Sequence, residues 1–361
     1  MPLPSQIITG WLGLVERVFK KNFFLSTFFT FKPEYLFDGE EVSFDIRREG
    51  RPVAVVVKRY HGPNLNDYDE YTTKTLVPPS YNQGTTLDLA TLNKRPAGMD
   101  PYQASRDVGY RAQMMAYVVR TLAALFDTIR RAVELQASQI MQTGTSTLVD
   151  ANGDTTYAIN FAPKASHFIT VGTVWSNVAA DIIGDLKGAA DVVVADGKVT
   201  PNILLMGSTA FLEFLRNTEI KAIFDNRRIV PGTINPGLMN NGAVLQGNIA
   251  VGSYNFAIYT YPETYDDIQT GNSTEYLDPG KVVMLSSDTN FGLLFSTVVH
   301  PLPPNPQTEF LLPPTLTSTD NGFNVKPNVY PSESGEQIMA TLKSNPLCVP
   351  FGIDEFACLT T

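Results

Sequence analysis

The stretch DPYQASRDVGYRAQMMAYVVRTLAALFDTIRRAVELQASQIMQTG, residues 100–144, decides how this chain is read. It opens Asp100-Pro101-Tyr102-Gln103, with a carboxylate at the N-cap position, proline at N1 and glutamine at N3, close to a capping box. It closes on Gly144, a natural C′ residue. Between these ends the apolar positions Val108, Met115, Val118, Leu122, Leu125, Ile129, Val133 and Ile140 recur at spacings of three, four and seven, which predicts one buried helix face. Arg106, Gln113, Arg120, Asp127, Arg130, Arg131 and Glu134 fall mostly off that face. At 1.5 Å per residue the helix reaches roughly 60 Å, far beyond the three or four turns of an average helix. Such a helix acts as a strut across a whole subunit.

The flanks of the helix are β-rich. Upstream, residues 1–35 read as an arm. Pro2 and Pro4 prevent regular structure, residues 11–21 predict a short helix, and Phe23, Phe24, Phe28, Phe29 and Phe31 form an aromatic group. Leaving that group in water is unfavourable by about 25 cal/mol per Å², so it packs either on the chain's own body or on a neighbour. Val42, Phe44 and Ile46 alternate with polar residues as in a half-buried strand, and residues 53–57 are a β-branched run. Gly62-Pro63-Asn64 and Pro78-Pro79-Ser80 punctuate the stretch. The pattern predicts a β-excursion that leaves the body and returns before the helix. Arg47, Arg48, Arg51, Lys58 and Arg59 lie near its base, with Asp67, Asp69 and Glu70 further out. Opposite charges at the two ends suit docking on a neighbouring copy; a solvated hairpin explains the same residues.

Downstream, Asn152-Gly153-Asp154 is a turn and residues 174–196 are helical, then β. Residues 203–206 are a buried strand. Ser208 caps a helix over 209–217, residues 249–261 form one alternating strand, and residues 281–285 another. Together residues 155–285 predict an α+β region. Residues 291–300 resume a strand, residues 301–334 read as an extended loop rich in Pro, Asn, Ser and Thr, and final strands fall near 336–342 and 355–359, joined through Pro346 and Pro350.

Composition narrows the function. The 361 residues suffice for two or three domains, and 43% are hydrophobic, enough for a large core. Charged residues make up 17% and aromatics 11%, against about a quarter charged in an average soluble protein; a surface short of charge is consistent with burial against other chains. A net charge of −9 argues against non-specific nucleic-acid binding, which needs a basic patch. Cys348 and Cys358 match no zinc or redox spacing and read as reduced core residues. The N-terminus has no basic leader, and residues 22–31 are too short to span a bilayer of about 20 helical residues. The expectation is a soluble, intracellular product with no membrane partner.

Catalytic signals are sparse. His61, His167 and His300 are far apart and lack local partners. Asp196-Gly197-Lys198-Val199 partly matches a phosphate-binding loop but lacks the earlier glycine and the Ser or Thr after Lys. Neither a G-x-S-x-G elbow nor H-E-x-x-H is present. Asp266-Asp267 and Glu40-Glu41 read as solvated turn charges. The expected catalytic, cofactor-binding and metal sites are none.

Several segments carry a resemblance: Asn22-Phe23-Phe24-Leu25-Ser26-Thr27-Phe28-Phe29, Pro52-Val53-Ala54, Asp100-Pro101, Gln139-Ile140-Met141-Gln142-Thr143-Gly144, Ser344-Asn345-Pro346-Leu347 and Asp354-Glu355-Phe356. With the order arm, β-excursion, long helix, α+β region, Pro-rich loop and final strands, the chain resembles the major capsid proteins of tailed phages, most closely the lambda-like (protein E) family. The resemblance implies an α+β Hong Kong 97-type capsid fold. Its parts would be an N-terminal arm (1–35), a peripheral-domain strand (36–50), an E-loop β-hairpin (51–95), and peripheral-domain residues 96–154 with the spine helix (Val108, Met115, Leu122, Ile129, Val133). An axial domain (155–285), further peripheral-domain strands and loop (286–345) and an axial C-terminal segment (346–361) would follow. Function would be that of a head protein, made in the host cytoplasm and found in the virion. It would assemble with itself into hexamers and pentamers of an icosahedral shell that encloses double-stranded DNA without reading its sequence.

The implied partners are a separate scaffolding protein, a portal and a maturation protease, with a decoration protein docking on the arm and E-loop. Phe23, Phe24, Phe28, Phe29 and the charged residues of the excursion would contact neighbouring subunits. Some members of the fold cross-link an E-loop lysine to a neighbour's asparagine; Lys58 and Lys74 are present, but no carboxylate nearby identifies such a bond. Two alternatives are an encapsulin-like compartment and an enzyme built on the α+β region, the latter marked by a pocket gathering His167 with acidic residues.

Overall fold

A computed structural model describes residues 23–37, 41–47, 71–88, 106–150, 155–225, 237–238, 242–267, 270–296, 316–318, 323–331 and 337–361. The long helix, α1, runs Arg106–Thr143, 38 residues, or about 57 Å at 1.5 Å per residue. Its expected opening at Asp100-Pro101-Gln103, and the side chains of Val108, Met115 and Val118, lie outside the described residues. Leu122, Ile129, Val133 and Ile140 are buried as their spacing predicts, each stabilising the core by about 1.5–3 kcal/mol. Gly144 ends the helix at φ +66°, with its N–H on the Ile140 carbonyl at 2.8 Å. A side chain there would collide with Pro163, 2.3 Å from an added Cβ, so the close approach as well as the left-handed backbone calls for glycine.

From Gly144 the chain enters an antiparallel hairpin of β5 (Thr145–Val149) and β6 (Thr155–Asn160); the predicted turn at 152–154 lies outside the described residues. Before the helix, β2 (Val42–Arg47) pairs antiparallel with β3 (Tyr71–Leu76), residue for residue from Val42↔Leu76 to Arg47↔Tyr71. These strands flank the segment expected to form the excursion, whose further charged residues, Arg48, Arg51, Lys58, Arg59, Asp67, Asp69 and Glu70, lie outside the described residues. β4 (Tyr81–Asp88) joins β18 (Gln337–Ser344), β17 (Phe323–Pro331) and β16 (Leu316–Ser318) in one sheet, ordered β16-β17-β18-β4. Two of these strands correct the expectation of a loop over 301–334. β17 is paired along most of its length with the next strand, β18, from Lys326↔Lys343 to Pro331↔Ile338, a pairing that its Pro- and Asn-rich composition does not signal.

The α+β region centres on a mixed seven-stranded sheet ordered β7-β20-β14-β8-β11-β10-β9. Its strands are β7 (Phe168–Thr170), β8 (Ile203–Met206), β9 (Gly237–Leu238), β10 (Val244–Val251), β11 (Tyr254–Thr260), β14 (Lys281–Leu285) and β20 (Ala357–Thr360). The single strand expected over 249–261 is instead a hairpin, turned at Gly252 with φ +59°. Side-chain alternation divides the sheet between two cores. On β8 and β14, Leu205, Val283 and Leu285 face the core that includes Val133, Ala137 and Ile140 of α1. Leu204, Met206, Val282 and Met284 face a second core with α2 (Ile182–Gly197), α3 (Ser208–Arg216) and α4 (Thr218–Asp225). Burial on both faces explains why these strands read as continuous apolar runs. Ser208 is the first residue of α3 rather than its cap, and its hydroxyl bonds Glu275 at 3.1 Å.

A third sheet is β1 (Leu36–Phe37), β15 (Phe291–Ser296) and β19 (Pro346–Pro350), in the order β1-β15-β19. Pro346 and Pro350, expected to join strands, are the two ends of β19. The strand lies at a sheet edge, where a missing N–H breaks no ladder.

Candidate functional site

The polar residues of α1 make several long-range side-chain bonds. Arg130, Glu134, Gln136, Ser138 and Gln142 are all buried. This corrects the expectation that Arg130 and Glu134 stand off the packed face. The buried arc of the helix is wider than its apolar stripe, and these side chains are buried because segments from elsewhere in the chain supply their partners.

Glu134 is fully buried. Its two carboxylate oxygens accept the backbone N–H groups of Leu25 at 2.7 Å and Ser26 at 2.9 Å. Those residues open a 3-10 turn, Leu25–Phe28, which has no side-chain cap of its own. The unpaired N–H groups at a helix start attract an anion, and here the anion is delivered by another helix. Burial pushes the Glu134 carboxyl above its ordinary value, while the two N–H donors pull it back. Burial, and then the Glu134 charge, push the hydroxyls of Tyr261 and Tyr276 upward. One turn earlier, the Arg130 guanidinium is near two rings, 4.8 Å from the Phe23 centroid and 5.8 Å from that of Phe126. Burial lowers the Arg130 guanidinium to about 10, against the pull of Asp127 and Glu134.

Further along, Gln136 donates to Tyr81 Oη at 2.7 Å and accepts the Cys348 N–H at 3.3 Å, tying β4 and β19 to α1. Gln142 donates to the Tyr276 carbonyl at 2.8 Å and accepts the Asp278 N–H at 3.0 Å; Ser138 also donates to the Tyr276 carbonyl. The helix is thus a hub that holds the N-terminal segment, two sheets and the 276–278 turn. Its carboxylate already receives two backbone donors and is shut from solvent, which suits a clamp and not acid–base chemistry.

The aromatic group of the arm is part of this clamp. Phe24 and Phe29 are buried in the chain's own core, Phe29 stacked on Phe291 with centroids 4.9 Å apart. Expected at contacts between subunits, these two rings are covered by their own subunit; Phe23 and Phe28 remain half-buried. The side chain of Arg47 is outside the described residues.

A second polar cluster lies at the end of α2. His167, fully buried, places Nδ1 2.8 Å from the Phe356 carbonyl and Nε2 3.2 Å from Asp196 Oδ2. Lys164 donates to the other Asp196 oxygen at 2.6 Å, and these two partners hold the Asp196 carboxyl below its ordinary value. His167 therefore has an acidic partner that its sequence neighbourhood did not reveal. The pair staples β20's approach to α2. The Asp196-Gly197-Lys198 run ends a helix, with Lys198 left-handed at φ 58°, and a helix C-terminus repels the anion a phosphate loop binds. His61 and His300 lie outside the described residues. Among the described residues no three of His, Cys, Asp and Glu gather as metal ligands, and no helix is long and apolar enough to cross a membrane. Cys348 and Cys358 are free and buried; burial pushes the Cys358 thiol up to about 12.

Comparison with known proteins places this architecture. The family described as phage major capsid protein E matches residues 14–360. A candidate capsid protein of an E. coli CFT073 prophage has a similar structure, with TM-score 0.62 and 17% identity, over 100% of this chain and 99% of that one. A phage-related protein of Bordetella bronchiseptica RB50 superposes with TM-score 0.50 and 11% identity, over 99% of this chain and 98% of that one. No curated protein matches the sequence.

Proposed function

The chain belongs to the phage major capsid protein E family, and from that premise we propose how its parts serve as a subunit of the phage head. It is a structural component of the virion shell and not an enzyme. Copies of the chain assemble as hexamers and pentamers into an icosahedral, Hong Kong 97-type shell around double-stranded DNA. Many modest contacts, closed on themselves, make such a shell stable.

In this reading residues 1–35 are the arm and 51–95 the E-loop that reaches over a neighbour. The regions 36–50, 96–154 and 286–345 form the peripheral domain around α1, and 155–285 with 346–361 form the axial domain. Support comes from the order along the chain, in which α1 follows the β2–β3 pair and precedes the strands of the seven-stranded sheet. The mixed sheet takes β20 from the C-terminal segment, next to β14, which favours grouping 357–360 with 155–285, while β19 pairs with β15 of the 286–345 region. A separate scaffolding protein, a portal and a maturation protease act during assembly, and a decoration protein docks on the arm and E-loop. The net charge of −9 suits a wall that confines DNA without holding it.

The observation that carries the reading is the family match over residues 14–360. Negative-stain microscopy and sedimentation of the purified chain test it. Closed particles or six- and five-membered rings are expected; a monomer that persists at high concentration, with scaffold supplied, overturns it.

A further inference from the structure

The loop between β7 and α2 presents an unusual surface. From Ala165 to Ala180 the sequence has no Asp, Glu, Lys or Arg, where about a quarter of residues are charged in an average soluble domain. Val174 and Val178 are 56% and 50% exposed on it. The loop is held firmly in this pose. Trp175 is buried and donates Nε1–H to Asp185 at 3.0 Å. The Val178 carbonyl accepts the Thr218 N–H at 3.1 Å and its hydroxyl at 3.0 Å, and Asn217 donates to the Ala180 carbonyl at 2.7 Å. These bonds bring Val178 to the junction of α3 and α4. On α3, Ala210 and Phe214 face the core while Leu212 and Leu215, one turn apart, are 53% and 39% exposed on the outer side. Four of the six large exposed hydrophobics among the described residues thus belong to this loop and the adjoining helix.

We infer that this face, Val174 and Val178 with Leu212 and Leu215, is covered in the assembled head by a neighbouring copy of the same chain. The inference rests on the head-protein reading and adds to it the surface used. A fixed loop has little conformational freedom left to lose on association, which favours binding, and exposed apolar groups rimmed by polar ones mark interaction surfaces. Charge selects the occupant. Two copies carrying −9 each repel over most of their surfaces, so identical chains meet best where charge is absent. Among the described side chains of α3 and α4, Glu213 and Glu219 stand against Arg216 and Lys221, two of each sign, so this rim can complement a copy of itself.

Thiol labelling tests this on the full chain. Val178→Cys and Leu212→Cys are introduced singly, with Thr274→Cys, exposed on β13 (Ser273–Glu275), as the control. Cys348 and Cys358, at 0% and 2% exposure, stay silent. Free subunits of all three variants react with a maleimide. In particles shown by gel to contain only this chain, Val178→Cys and Leu212→Cys lose most of their labelling while Thr274→Cys retains it. Equal labelling in particles and subunits overturns the surface and leaves the head-protein reading intact. Protection as strong at Thr274→Cys, or protection that appears only when a second protein is present, overturns it as well. A chain that forms no assembly overturns the head-protein reading and this surface together.

Discussion

Glu134 accepts the backbone N–H of Leu25 at 2.7 Å across 109 residues of chain. The long helix thereby caps a turn of the N-terminal segment, and the start of the described chain is locked to its middle by a buried charge. Glu134→Ala removes both charge-assisted bonds, each worth about 1.5–3 kcal/mol, and strands two N–H donors. The subunit is expected to lose about 3 kcal/mol or more, and residues 24–29 to lose protection in amide hydrogen exchange. Glu134→Gln keeps one acceptor and is expected to lose less.

Arg130 depends on its shape as well as its charge. Its planar guanidinium lies near the Phe23 and Phe126 rings. Arg130→Lys retains a cation but replaces the broad guanidinium near both rings with a compact, strongly hydrated ammonium. A loss of about 1–2 kcal/mol is expected, measured by thermal unfolding, with earlier proteolysis of the segment around Phe23.

At Gly144, two independent restraints meet. The φ of +66° disfavours any other residue by about 1–2 kcal/mol, and an added Cβ would sit 2.3 Å from Pro163 Cγ. Gly144→Ala is therefore expected to destabilise the subunit by about 2 kcal/mol or more, whereas Gly188→Ala, with open space around its Cβ inside α2, is expected to be neutral or stabilising. Comparing the two melting temperatures checks the contrast.

The Asp196 carboxyl gives a pH-dependent term. Lys164 and His167 hold it below its ordinary value of 3.8. A lowered folded value means that the unfolded chain binds more protons, so the stabilisation is present above 3.8 and is lost as pH falls through the lower folded value. Asp196→Asn is expected to be less stable than the parent by about 1 kcal/mol at neutral pH, with the difference shrinking below pH 3.8. Melting curves at neutral and acid pH measure it.

Leu122 lies inside α1 and is 1% exposed. Leu122→Pro removes a helix bond and collides with the preceding turn, a loss of about 3 kcal/mol or more. It is expected to abolish shell assembly in negative-stain images; normal heads from this variant would remove α1 from its role as a strut.

The helix was legible because its signals are local. Leu122, Ile129, Val133 and Ile140 share a face through a period set by the backbone itself, and Gly144 ends it by its own conformation. The same periodicity placed Arg130 and Glu134 away from the packed face, since it registers apolarity and not the arrival of a distant partner. Strands β8 and β14 were visible as apolar runs, whereas β17 and β19 were hidden by their prolines, which β19 tolerates at a sheet edge. Of the clamp, the sequence indicated only Phe23 and its neighbours, with two places open for them to pack.

The sequence by itself determined a subunit-long helix, a β-excursion before it and an α+β region after it, because periodicity, caps and turns act over a few residues. Tertiary structure alone decided that Glu134 caps Leu25, that His167 finds Asp196, and that β20 enters the sheet beside β14. Those contacts join residues far apart in the chain, and a buried polar group is stable only where folding delivers its partner.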